Sequence, residues 1–286
     1  MTRRVWLHIG LPKTGTTYLQ DALWANQAVL RERGVVLPGR HRRRHLLASL
    51  DVREDPGLAK RPGDVAHPWQ DLVDEVLAPG SADLDALVSH EFFASASPDQ
   101  VRRVVASFPD AEVHVVLTAR SMVDLGISRW QEWVKNGGRQ DIDSYPVERP
   151  YTPADSWGWA SFDLADVLDR WGSVLPHERV HVLPVAAGGS DPTQLWVRFL
   201  GVLGLEPAGL DAPEQAANTS LGVVEVELLR RVNGELKGSA RHGTAASGSA
   251  ATSARAACCR PPGSASDPRP RRSATCASVE PGRCSC

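Results

Sequence analysis

The first residues able to do chemistry are a lysine and three threonines in a glycine-bounded loop near the amino terminus. The loop spans residues 10–17 with the sequence GLPKTGTT, and Lys13 is its single charged residue. The apolar run before it, residues 5–9, predicts a buried strand, and leucines spaced by four and seven after it predict a helix. Strand, glycine turn and helix direct backbone N–H groups and a helix dipole at one point, which predicts anion binding.

This loop differs from the P-loop of nucleotide triphosphatases, in which a lysine directly follows the second glycine. Here Thr16 takes that position and Lys13 lies inside the loop. The segment PKTGTT, residues 12–17, resembles the loop of sulfotransferases that use 3′-phosphoadenosine 5′-phosphosulfate (PAPS). The resemblance implies that Lys13, Thr14, Gly15, Thr16 and Thr17 bind the 5′-phosphosulfate. It also implies a catalytic role for Lys13 at the bridging oxygen, with 3′-phosphoadenosine 5′-phosphate (PAP) as the product.

A second series follows the clearest strand of the sequence, residues 113–118. Arg120, Asp124 and Ser128 are spaced by four residues at the start of a predicted helix. The series resembles the second sulfotransferase signature, which implies that Arg120 and Ser128 bind the 3′-phosphate of PAPS. Family members often have Asn-Pro after the arginine, whereas this chain has Ser-Met. The alternative is a surface Arg–Asp pair with an incidental serine.

Three residues are candidates for the base that takes the acceptor's proton. His90 and Glu91 follow a predicted strand, residues 84–88, and ligands of parallel sheets lie beyond the carboxyl ends of strands. Members of the resembled family use a histidine or a glutamate as base. We therefore rank Glu91 first, His90 second and His45 third.

His45 belongs to a basic run, residues 40–45. We interpret this run as a solvated loop. It could instead attract an anionic acceptor, or bring His45 to the reaction centre. His41 and His45 would form a metal pair if they lay on a helix, but no third ligand suggests itself. The expected chemistry requires no metal.

Composition predicts a globular α/β protein. The 286 residues are 42% apolar and 23% charged, and the net charge of −2 gives no drive toward nucleic acid or a membrane surface. No apolar stretch is long enough for a membrane span, so we expect a cytoplasmic protein. The predicted fold is a central parallel β-sheet flanked by helices, a three-layer sandwich like that of P-loop NTPases.

The composition changes after residue 237. The last 49 residues have no aromatic side chain and contain all five cysteines of the chain. We predict a sulfotransferase-like domain over residues 1–237 and a disordered or aberrant tail over residues 238–286. A long irregular stretch, residues 136–156, is expected to cover the acceptor, which would be a small molecule or a carbohydrate.

Two other function classes stay open from the sequence. A nucleotide kinase or other P-loop NTPase would need a lysine after Gly15 and an acidic magnesium ligand at a strand end. A nucleotide-binding protein without turnover would be consistent with the atypical tail.

Overall fold

A parallel sheet forms the centre of the protein. The computed structural model describes residues 2–63, 66–81, 83–145, 158–186, 193–212 and 221–245. Within these ranges the strands are β1 (Arg4–His8), β2 (Val35–Val36), β3 (Asp85–Ser89), β4 (Glu112–Ala119) and β5 (Val180–Pro184). All pairings are parallel and the order is β2-β3-β1-β4-β5. The predicted fold class, a parallel sheet flanked by helices, is confirmed.

The helices of the described part of the chain lie between and after these strands. They are α1 (Thr16–Ala25), α2 (Gln27–Glu32), α3 (Arg43–Val52), α4 (Pro68–Leu77), α5 (Pro98–Ala106), α6 (Met122–Lys135), α7 (Leu164–Gly172), α8 (Thr193–Leu203) and α9 (Val223–Ala245). The predicted start of α5 is confirmed, because Ser97 and Gln100 form a reciprocal capping box before Pro98.

Each face of the sheet carries its own apolar core, because the strands are buried on both sides. One core joins Val5, Leu7 and Val115 to side chains of α3, α4, α5 and α7. The other joins Trp6 and Val116 to α1, α2 and α8. These two cores make the sheet the middle layer of three.

The register brings the carboxyl ends of three strands together. His8 at the end of β1 pairs with Ser89 of β3 on one side and with Val116 of β4 on the other. The chain passes from β1 to β2 and β3 on one side, then returns to β4 on the other. This reversal opens a crevice beside β1, the usual ligand position in such sheets.

Two sequence-based interpretations need correction. The helix after the glycine loop is interrupted at Asn26, whose side chain bonds both the N–H and the C=O of Asp211 at 2.8 and 2.7 Å. The basic run is not simply a solvated loop, because α3 begins at Arg43 and buries His45 completely.

The carboxyl-terminal region is described only in part. The chain divides into two units, residues 1–238 and 239–286. Residues 246–286 lie outside the described residues, as do residues 146–157 of the predicted acceptor loop, so the predictions about both stay predictions. Every helix that the structure describes is too short or too polar to cross a bilayer.

Candidate active site

The glycine loop has the backbone shape of an anion-binding turn. Gly10, Lys13 and Gly15 have φ of 40°, 72° and 85°. A Cβ atom at Gly10 would lie 2.2 Å from Cγ2 of Thr16, so only glycine fits there. Gly15 precedes α1 and has no side chain with which to cap the first turn. The first turn of α1 therefore begins at this loop, and the start of a helix favours a bound anion.

A buried chain of hydrogen bonds supports this loop from below. The Thr14 hydroxyl donates to the Leu11 carbonyl at 2.6 Å, so the Thr118 hydroxyl donates to Thr14, also at 2.6 Å. His8 continues the chain, with Nε2 3.5 Å from Thr118 Oγ1 and Nδ1 2.7 Å from Ser89 Oγ. Burial lowers the pKa of His8 to about 4, which keeps its ring neutral. The loop is thereby fixed to the ends of β1, β3 and β4.

Arg120 lies at the mouth of this loop. Its Nη1 is 3.4 Å from the Lys13 carbonyl oxygen and 3.2 Å from Ser128 Oγ. Its Nη2 is 3.9 Å from an Asp124 carboxylate oxygen. The predicted series on α6 and the predicted loop therefore meet, although 107 residues separate Lys13 from Arg120.

Lys13 has an acidic neighbour that the sequence analysis missed. Its Nζ lies 3.2 Å from Oε2 of Glu132, and the two side chains are 34% and 29% exposed. Glu132 follows Ser128 by four residues, so it extends the Arg120–Asp124–Ser128 series along the same face of α6. That spacing was the available signal.

Glu91 begins a short 3-10 turn, Glu91–Ser95, directly after β3 and His90. Its Oε2 accepts a hydrogen bond from Gln20 Nε2 at 3.0 Å. Burial alone would raise the pKa of Glu91, but His90, the residue's own N–H, Gln20 and His8 outweigh it, and the pKa is lowered. An ionised carboxylate at this position can accept a proton.

The His90 ring is held in place by contacts at its Nδ1 atom. Its Nδ1 accepts from the Phe92 N–H at 3.2 Å and lies 3.2 Å from Ser49 Oγ. A backbone N–H can only donate, so the neutral ring carries its proton on Nε2. Burial lowers the pKa of His90, which favours this neutral form. The lone pair on Nδ1 is thus engaged by the Phe92 N–H.

The geometry does not bring His45 into the crevice. It is fully buried, its Nε2 donates to the Pro38 carbonyl at 2.8 Å, and its Nδ1 accepts the Ser89 N–H at 3.1 Å. Both ring nitrogens of His45 are therefore engaged in hydrogen bonds with the backbone, and burial lowers the pKa of His45 to about 4. The idea of a metal pair with His41 gains no support, because no group of three or more possible ligands occurs among the described residues.

The cationic groups of this crevice suit a phosphorylated ligand. Arg120 Nε is buried without a hydrogen-bond partner among the described residues, so the guanidinium retains donor capacity. Lys13 adds a second cation at the loop. Two cations and a turn of backbone N–H groups form a donor set for anionic oxygens.

Comparison with known proteins gives structural neighbours only. No protein-family model and no curated protein sequence matches the chain. Solved structures do match. A sulfotransferase from Alicyclobacillus acidocaldarius is 17% identical with a TM-score of 0.49, over 85% of this chain and 97% of its own.

Two further matches are more distant. The sulfotransferase domain of the curacin biosynthetic pathway is 15% identical with a TM-score of 0.41, over 79% of this chain and 83% of its own. Mouse sulfotransferase SULT7A1, complexed with PAP, is 12% identical with a TM-score of 0.33, over 83% and 67%. All three are sulfotransferases.

Proposed function

We propose that this protein is a PAPS-dependent sulfotransferase. It would transfer the sulfuryl group to a hydroxyl or amine of a small-molecule or carbohydrate acceptor, and release PAP. The observation that carries the proposal is the position of Arg120, which contacts the Lys13 carbonyl and Ser128 together. This contact unites the two segments whose sequences resemble the sulfotransferase signatures.

Each segment would bind one phosphate group of PAPS. The N–H groups and hydroxyls at residues 14–17 would hold the 5′-phosphate at the start of α1. Arg120 and Ser128 would hold the 3′-phosphate, because a guanidinium offers a planar fork of donors to phosphate oxygens. The protein then needs little covalent chemistry, as in phosphoryl transfer.

Lys13 and Glu91 would act on the two ends of the transfer. Glu91 takes the proton from the acceptor oxygen as the new oxygen–sulfur bond forms. Lys13 stabilises the negative charge that grows on the phosphate oxygen as the old sulfur–oxygen bond breaks. His90 is the second candidate base and His45 the third, although the hydrogen bonds of both rings favour Glu91.

Binding and transfer measurements test the proposal. Calorimetry should detect PAP in the micromolar range or tighter, and ATP and GTP far more weakly. Incubation with labelled PAPS and an acceptor library should give labelled product. Lys13→Ala should abolish turnover and weaken PAP binding, whereas Lys135→Ala, an exposed lysine at the end of α6, should change neither.

The alternatives give different results. Preferred binding of ATP or GTP would favour the NTPase reading. PAP binding without transfer to any acceptor would favour a non-catalytic nucleotide-binding protein. We further propose that the domain ends near residue 237, so a chain lacking residues 240–286 should retain its PAP affinity; a large loss would contradict this boundary.

A further inference from the structure

Gln20 is a buried polar side chain that belongs to neither signature. It lies on α1 and is 8% exposed. Its Nε2 donates to Oε2 of Glu91 at 3.0 Å, which links α1 to the end of β3. Gln20 follows Thr16 by four residues, so both side chains lie on the same face of α1, one turn apart. The bond therefore ties Glu91 to the helix that begins at the glycine loop.

The chemistry of this bond selects one protonation state of Glu91. An amide nitrogen can only donate, and a carboxylate accepts better than a carboxylic acid. The groups that act on Glu91 come from three elements: Gln20 on α1, His8 on β1, and His90 beside it, with Nδ1 4.0 Å from Oε2. Both histidines lower the pKa of Glu91 only while they carry a proton, and burial lowers the pKa of each of them. Gln20 is thus a permanent donor that works against the cost of burying the charge.

We propose that Gln20 is the positioning residue of the catalytic base. It holds the Glu91 carboxylate ionised and at a fixed distance from the glycine loop, so that the acceptor oxygen and the sulfuryl group meet in line. This inference rests on the proposed function, but the Gln20–Glu91 coupling can be measured without any turnover.

An NMR titration isolates the coupling. The protein is labelled with 13C at the glutamate carboxyl groups, and Glu91→Gln assigns the Glu91 signal. Gln20→Met keeps the length of the side chain and removes the donor, whereas Gln20→Glu replaces the donor with a second carboxyl group. The midpoint of Glu91 should move to higher pH in Gln20→Met and further in Gln20→Glu. Asp21→Asn, an exposed neighbour on α1, should leave it unchanged.

Kinetics supply a readout that a merely structural role would not move. In Gln20→Met, the pH at which kcat begins to fall should rise together with the Glu91 midpoint, and kcat at pH values well above that midpoint should fall by about tenfold because the base is no longer held in place. The Kd for PAP should stay within about twofold. An unchanged Glu91 midpoint in Gln20→Met, or a dependence of kcat on pH with the same midpoint as in the unmodified protein, would overturn the proposal.

The test survives two complications. If the variants fail to fold, the 15N-labelled side-chain amide of Gln20 in the unmodified protein should titrate with the midpoint of Glu91, and independence of the two signals would refute the coupling. If the unmodified protein transfers no sulfuryl group, the proposed function fails while the titration still decides the role of Gln20.

Discussion

Replacing Arg120 tests the convergence of the two segments most directly. Arg120→Ala removes the guanidinium, and Arg120→Lys keeps a charge but loses the planar fork. The ligands to compare are PAP and AMP, which share adenosine and a 5′-phosphate and differ in the 3′-phosphate. If Arg120 binds the 3′-phosphate, its loss should weaken PAP much more than AMP.

The size of the effect follows from the surroundings of the side chain. Hydrogen bonds to charged groups contribute about 1.5–3 kcal/mol. Arg120 is 24% exposed and already lies near Asp124 and Ser128, so solvent and these neighbours reduce the gain toward the lower end. Arg120→Ala should therefore weaken PAP by about 10- to 30-fold, which is about 1.5–2 kcal/mol. Arg120→Lys should lie between, at about fivefold.

AMP reports the structural part of the change. Arg120 Nη1 is 3.4 Å from the Lys13 carbonyl, so its removal also loosens the loop slightly, and AMP should weaken by no more than about threefold. Calorimetry at one fixed ionic strength measures both ligands, because salt screens such contacts. Arg102→Ala, an exposed arginine on α5, is the matched control. Equal weakening of PAP and AMP would refute the assignment of Arg120 to the 3′-phosphate.

Three further predictions concern charge and pH. Glu132→Gln removes the ion pair of Lys13, which is worth up to about 1 kcal/mol. Calorimetry should therefore show that the variant binds PAP up to about fivefold more tightly. Weaker binding would contradict this prediction. Glu91→Gln should lower kcat by about 10² to 10⁴ and leave the Kd for PAP unchanged. In the unmodified protein, kcat should fall only as the pH drops through the lowered pKa of Glu91. A loss of PAP affinity in Glu91→Gln equal to its loss of kcat would argue against Glu91 as the base. His8 and His45 have a pKa of about 4 in the folded protein and about 6.5 when unfolded. The free energy of unfolding, measured with urea, should therefore be highest above pH 6.5 and should fall between pH 6.5 and 4 by up to about 1.4 kcal/mol per pH unit for each histidine. A flat profile would contradict the burial of these two rings in the neutral form.

Local pattern was sufficient for most elements of the fold. The apolar run before the glycine loop and the β-branched run before Arg120 are strands because both are buried on two faces, and such runs carry their own signal. Ser97 and Pro98 started α5 as predicted, because a cap depends on residues that are neighbours in the sequence. Asn26 was different, since its partner at residue 211 is 185 positions away.

The base candidates show the same limit in the site. His45, His90 and Glu91 were all plausible by residue type and position. Tertiary contacts distinguish them. His45 bonds the Pro38 carbonyl and the Ser89 N–H, and the Phe92 N–H donates to Nδ1 of His90. These contacts depend on how α3 meets the end of β3, which no spacing in the sequence encodes.

The amino-acid sequence by itself determined the glycine loop, the start of the helix after it and the four-residue series on α6, because each depends on residues within a few turns of one another. Tertiary structure alone decided that Lys13 and Arg120 meet, that Glu132 pairs with Lys13 and that Gln20 reaches Glu91. The physical reason is that these contacts arise from the strand order, which sets β1 between β3 and β4 and brings three distant strand ends to one crevice.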